Sequence, residues 1–148
     1  MKITFDIKNL KLFNKKLDKR FNNDAMLEIN KKMNEAVAIV RNHAIESIQR
    51  GAKTGVTYEK YNPRRTHTAS AAGQPPATDT GFLVSSISSN VKRSGKKVVG
   101  QIVASAPYAP SLEFGTSKMA ARPFMVPALE KNRRKIERKF KQGGYIKK

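Results

Sequence analysis

The sequence predicts an α+β fold in a single domain: N-terminal amphipathic helices packed on a small antiparallel sheet, a long extended loop, and a basic C-terminal helix. Three patterns carry that expectation. Apolar residues recur every three or four positions between 10 and 50 and again between 129 and 140, they alternate near 3–7 and 87–104, and neither period survives between 51 and 80.

Ile3, Phe5 and Ile7 alternate with Thr4 and Asp6, the period of a half-buried strand. Leu10, Phe13, Leu17 and Phe21 then fall on one face of a predicted helix with lysines opposite. A clearer helix follows Asn23 or Asp24, whose side chains can accept from the free amides at its start. Its apolar stripe runs through Met26, Ile29, Met33, Ala36 or Val37, Val40, Ala44 and Ile48, and it ends near Arg50 and Gly51.

Residues 51–79 are rich in Gly, Pro, Thr, Ala and Ser, and read as a long flexible loop or arm. A loop of that length inside a compact domain is uncommon, so it is either a bland tether or an arm that orders on a partner. In TDTGFLVSSI, Thr78, Asp79 or Thr80 is expected to cap one or two helical turns carrying Phe82, Leu83 and Ile87. Ile87, Ser89 and Val91 then share one strand face, and Val98, Gly100, Ile102 and Ala104 share a face of a second strand, with Ser94 and Gly95 in a hairpin turn between them. Pro127 can open the last helix because a first-turn position needs no amide donor. Leu129, Ile136 and Phe140 give that helix a narrow apolar line, and residues 141–148 are expected to be a mobile tail.

A length of 148 residues suits one domain with a modest core. Thirty Lys and Arg against eleven Asp and Glu leave a formal charge of +19, which favours polyanionic surroundings and opposes compaction. There are no cysteines, so disulfides and thiolate chemistry are excluded. The longest apolar runs, such as AVAIV at 36–40, are too short for a membrane span, and MKITFDIKNLK lacks a continuous signal-peptide core. A soluble intracellular protein, making no membrane contact, is expected.

Catalytic residues, metal ligands and cofactor-binding motifs are not found. His43 and His67 each lack a companion at ligand spacing, and RSGKK at 93–97 lacks the paired glycines of a phosphate loop. Glu46, Glu59, Asp79 and Glu113 are scattered, and no spacing demands that any two meet. An enzyme is not expected, and no cofactor is implied.

Nucleic acid is the natural counter-charge. From Glu130 to the end the chain carries nine Lys and Arg against two Glu, enough to neutralise several phosphates. Arg133, Arg134, Arg138 and Lys139 on that segment, with Lys53, Lys60, Arg64 and Arg65 on the arm, are candidate contacts for DNA or an acidic partner. Tyr58 and Tyr61 add stacking surface beside the arm's cations. No groove-reading motif emerges, so such binding would be independent of base sequence. The bland alternative is a solvated helix face.

Two blocks, GQPPATDTGFLVSSI at 73–87 and YAPSLEFGTSKMAARPFMVPAL at 108–129, together resemble the neck and tail-completion proteins of long-tailed bacteriophages and prophages. That family is typified by gene product ten of a lambdoid coliphage. The resemblance implies a non-enzymatic virion subunit, built in the bacterial host cytoplasm, that forms a ring of itself, with six copies expected. Such a ring completes the tail or joins it to the head, beside other neck, head-completion or tail proteins and with genomic double-stranded DNA in its lumen. On this reading Tyr108, Glu113, Phe114, Gly115, Thr116, Arg122, Pro123 and Phe124 are candidate subunit contacts, together with Tyr58 and Tyr61 on the arm. The alternative for the second block is that it only fixes a loop within its own chain. The alternative function is a sequence-independent nucleic-acid-binding protein.

Overall fold

A computed structural model describes residues 1–5, 23–94 and 97–142. The helix expected around Leu10 to Phe21 and the end of the expected C-terminal tail lie outside the described residues. Strand β1 (Lys2–Phe5) is followed by helix α1 (Asn23–Arg50), hairpin strands β2 (Thr57–Tyr61) and β3 (Arg64–Thr68), and a single turn α2 (Phe82–Ser85). Strands β4 (Ile87–Ser94) and β5 (Lys97–Ala104), short helix α3 (Ala109–Phe114) and helix α4 (Met125–Gln142) complete the chain. The class is α+β, with a three-stranded antiparallel sheet in the order β1, β5, β4 and a separate two-stranded sheet of β2 and β3.

Alternation on β5 makes the sheet amphipathic. Val98, Gly100, Ile102 and Ala104 are buried while Lys97 is exposed and the residues between are half-buried. Register follows from the long hairpin, in which Ile87 pairs with Ala104 and Ser94 with Lys97. On the other edge, Lys2 pairs with Val103, and the Met1 ammonium donates to the Ala104 carbonyl at 2.8 Å.

The inner face of the sheet is covered by α1. Met26, Ile29, Met33, Ala36, Val37, Val40, Ala44 and Ile48 are all buried, the stripe its periodicity predicts. Val40, Ala44 and Ile48 join Ile87, Ile102, Phe124 and Met125 in the larger apolar cluster, and Met26, Ile29 and Met33 meet Val98 and Phe140 in a second. Close approach of helix to sheet depends on Gly100, because a Cβ there would stand 2.5 Å from Val37 Cγ1 and 2.9 Å from Met33 Sδ. Arg41 adds a polar tie by donating from Nε to the Ile87 carbonyl at 3.0 Å.

Three local expectations differ from the structure. The segment read as an extended loop contains the β2–β3 hairpin, which pairs Thr57 with Thr68 and Tyr61 with Arg64. His67, expected in a loop, is therefore a strand residue. Of the one or two turns expected before β4 one forms, α2, and Ile87, read on both the helix and the strand, belongs to the strand alone.

Because Gly100 is the contact point of helix and sheet, Gly100→Val should lower the unfolding free energy by about 1–3 kcal/mol. Urea denaturation checks this. An unchanged midpoint would mean that α1 does not sit on β5 at this distance.

Candidate functional site

After β5 the chain must turn from the sheet into a basic helix, and the first four amide positions of that helix have no intrahelical acceptor. Glu113, at the end of α3 and only 3% exposed, supplies the acceptors. Its Oε2 accepts from the Phe124 amide at 2.8 Å and the Met125 amide at 3.0 Å, and Oε1 accepts from the Val126 amide at 2.8 Å. Pro127 comes next and has no amide hydrogen, so every donor in the opening turn is satisfied. A negative charge also suits the positive end of the helix dipole.

Between Glu113 and the helix, the chain closes on itself. Gly115 has φ +76°, and a Cβ there would lie 2.8 Å from the Met119 carbonyl oxygen, so this turn requires glycine. The Thr116 amide donates to Met119 O at 2.8 Å, Thr116 Oγ1 accepts from the Lys118 amide at 3.3 Å, and the Arg122 amide donates to Leu112 O at 2.7 Å.

The two sequence blocks meet here. The Gly73 amide donates to the Ala121 carbonyl at 2.9 Å, and the rings of Phe82 and Tyr108 lie 6.2 Å apart, tilted by 44°. Gln74 fastens the base of the arm, accepting from the Thr54 and Ala71 amides and donating to Thr54 Oγ1. Residues 76–83 of the first block and Tyr108, Leu112 and Arg122 of the second line a shared groove beside Ser70.

The β2–β3 hairpin stands on the same region. Lys60 and Arg65 are directly opposite in the register, an unfavourable like-charge pair. Asp79 resolves it by accepting from Lys60 Nζ through one oxygen and from Arg65, at 2.6 Å, through the other. The Lys60 hydrogen bond, then the charges of Lys60 and Arg65, hold the Asp79 carboxyl below the ordinary aspartate value of 3.8. Asp79 was a natural candidate for the α2 cap, but the hairpin claims it, and only Thr80 Oγ1 lies near the Phe82 amide, at 3.4 Å.

The residues expected at a subunit contact divide into two groups. Glu113 and Phe124 are buried inside the chain, where one caps α4 and the other fills the core, so neither presents a surface to a neighbour. Tyr58, Tyr61, Tyr108 and Phe114 are exposed, with Phe114 at 69% and Tyr61 at 79%. Thr116 is exposed on the closed loop, and Gly115, Arg122 and Pro123 are half-buried along it.

The expected cation contacts divide in the same way. Lys53 donates to the Gln49 carbonyl at the end of α1, and Lys60 and Arg65 serve Asp79. Arg133 bridges Glu137 at 3.1 Å, while Lys139 reaches Glu35 on α1 at 2.7 Å and thereby holds that carboxyl below its ordinary value of 4.5. Arg64, Arg134 and Arg138 remain exposed. Sequence reasoning missed Lys131, Lys135 and Lys141, which are also exposed and share the outer face of α4 with Arg134 and Arg138. Their helical spacing was the available signal.

Among the described residues, no group of three His, Asp or Glu side chains could hold a metal ion. Nor is any described helix long and apolar enough to cross a membrane.

Removing the Glu113 carboxylate leaves three amides without their acceptor, so Glu113→Ala should cost about 3 kcal/mol or more of stability. Glu113→Gln, with one acceptor oxygen and an amide nitrogen facing donors, should fall between the variant and the parent. Chemical denaturation of the three proteins tests the cap. Equal midpoints would refute it.

Compared with curated proteins and with solved structures, the chain has no match. The family model described as "Bacteriophage HK97-gp10, putative tail-component" matches residues 11–115, more than two thirds of the chain. The matched stretch takes in α1, both hairpins and the Tyr108–Gly115 part of the second block. With the two blocks meeting at one place in the fold and a family match that takes in the first block whole and the second as far as Gly115, the chain belongs to the HK97-gp10-like family of bacteriophage tail components.

Proposed function

We propose that this chain is a structural, non-enzymatic virion subunit that assembles with copies of itself into a closed ring and completes the tail or joins it to the head. The observation that carries the reading is the β2–β3 hairpin. It is closed at its base by the Gly55 and Ala69 amides and tied near its turn by Asp79, yet most of its residues are exposed, Tyr58 and Tyr61 among them. A projection held stiffly in solvent and carrying aromatic side chains buries little of itself within its own chain. A ring supplies that missing burial, because its heterologous interface sets one patch of each copy against a different patch of the next. Phe114 and Thr116, on the second block, offer the receiving surface, with Pro123 at its edge. The ring belongs at the neck or the tail end, is assembled in the host cytoplasm, and has six copies as the count implied by the family resemblance. Its partners are neck, head-completion or tail proteins.

A second reading, sequence-independent nucleic-acid binding, is favoured by the outer face of α4. Lys131, Arg134, Lys135, Arg138 and Lys141 recur at helical spacing, and all are exposed. The two readings are compatible if that face lines a lumen through which duplex DNA passes.

Light scattering over a range of protein concentrations separates them. The ring reading expects the mass to rise from one chain to a single fixed multiple, and expects a Tyr58→Ser, Tyr61→Ser double variant to need about tenfold more protein to do so. A strict monomer that instead bound duplex DNA tightly, with a log–log salt slope of about −4 from the five outer cations, would overturn the ring reading in favour of the second.

A further inference from the structure

Among the described residues, three buried side-chain polar atoms lack a hydrogen-bond partner, and two of them, Ser70 Oγ and Arg122 Nε, belong to residues that line the groove between the two sequence blocks. Buried polar groups in folded proteins are nearly always paired, so two orphans at one place call for a cause. A guanidinium has donors only, and the hydroxyl of Ser70, a residue 1% exposed, can donate, so one acceptor would serve both. The carboxylate in its lining, Asp79, is already taken by Lys60 and Arg65. The groove holds about 270 Å³, and Phe82 and Tyr108, both exposed, form an aromatic edge along it.

We propose that this groove binds a peptide segment of a partner protein in which an aspartate or glutamate stands beside an apolar side chain. The carboxylate accepts from Arg122 Nε and the Ser70 hydroxyl, and the apolar side chain lies on the Phe82 and Tyr108 rings. Side-chain rotation of the kind common at interfaces opens the way to the two buried donors. The partner is a protein other than this chain, because a second copy brings another +19 to a groove that calls for negative charge. The site rests on orphaned donors and not on ring formation, so it stands or falls separately from the proposed function.

The test is a titration of the ¹⁵N-labelled full chain, followed by NMR, with the blocked dipeptide N-acetyl-Phe-Glu-amide and with its Phe-Gln counterpart. The acidic peptide should shift the amides of Ser70, Gly81, Phe82, Tyr108 and Arg122, and the neutral one should bind about tenfold more weakly. Arg122→Met should abolish that preference, while Phe82→Ala, at an exposed position outside the core, should weaken both peptides with the fold intact. Absence of shifts at these amides, equal binding of the two peptides, or undiminished binding by Phe82→Ala would overturn the proposal. Shifts of the same amides on concentrating the protein alone would place a second copy in the groove and overturn it as well.

Discussion

Three amide donors at the start of α4 converge on the carboxylate of Glu113, and the path of the chain after β5 depends on that convergence. The constraint arises because Phe124 and Met125 must be buried for the core to close, which carries the helix terminus in with them. Backbone donors buried without acceptors would oppose that packing. A charge brought from eleven or more residues back solves the problem, and the proline after it removes the fourth donor. Gly115 then allows the intervening loop to turn tightly enough for Glu113 to face the helix it caps. Residues 108–129 are thus the joint by which a strongly basic helix is attached to a sheet.

Electrostatics in this chain is a matter of which cations are spoken for. With thirty Lys and Arg and eleven acids, most cations have no acid of their own, and several acids stand where structure needs them. Asp79 relieves a like-charge pair across the arm's hairpin, and Glu35 ties α4 to α1 through Lys139. What remains is a cationic outer face on α4 and an arm whose aromatic residues point into solvent. Both are the surfaces on which the proposed assembly with neighbouring virion components rests.

Sequence reasoning succeeds where a core imposes a period. The α1 stripe and the alternation of β5 are legible because each packs one face against the other, with Gly100 at the point of contact. The β2–β3 hairpin is not legible for the converse reason: TYEKY and RRTHT cover no core, so nothing forces their polar and apolar residues to alternate. Capping rules look within a few residues of a helix start, and so they favour Asp79 for α2 and miss Glu113 for α4. The family blocks can be read as strings, but their meeting through Gly73 and Ala121 exists only in three dimensions. Counting charges identifies the basic helix without saying which of its cations are paired, and Arg133 and Lys139 prove to be held by Glu137 and Glu35.

The central claim, that the chain completes a phage tail or joins it to a head, is tested most directly by electron microscopy of particles made without this chain. The account predicts DNA-filled heads and separate tails of normal length that fail to join, with joining restored when the purified protein is added back. Intact, infectious virions formed in its absence would contradict it.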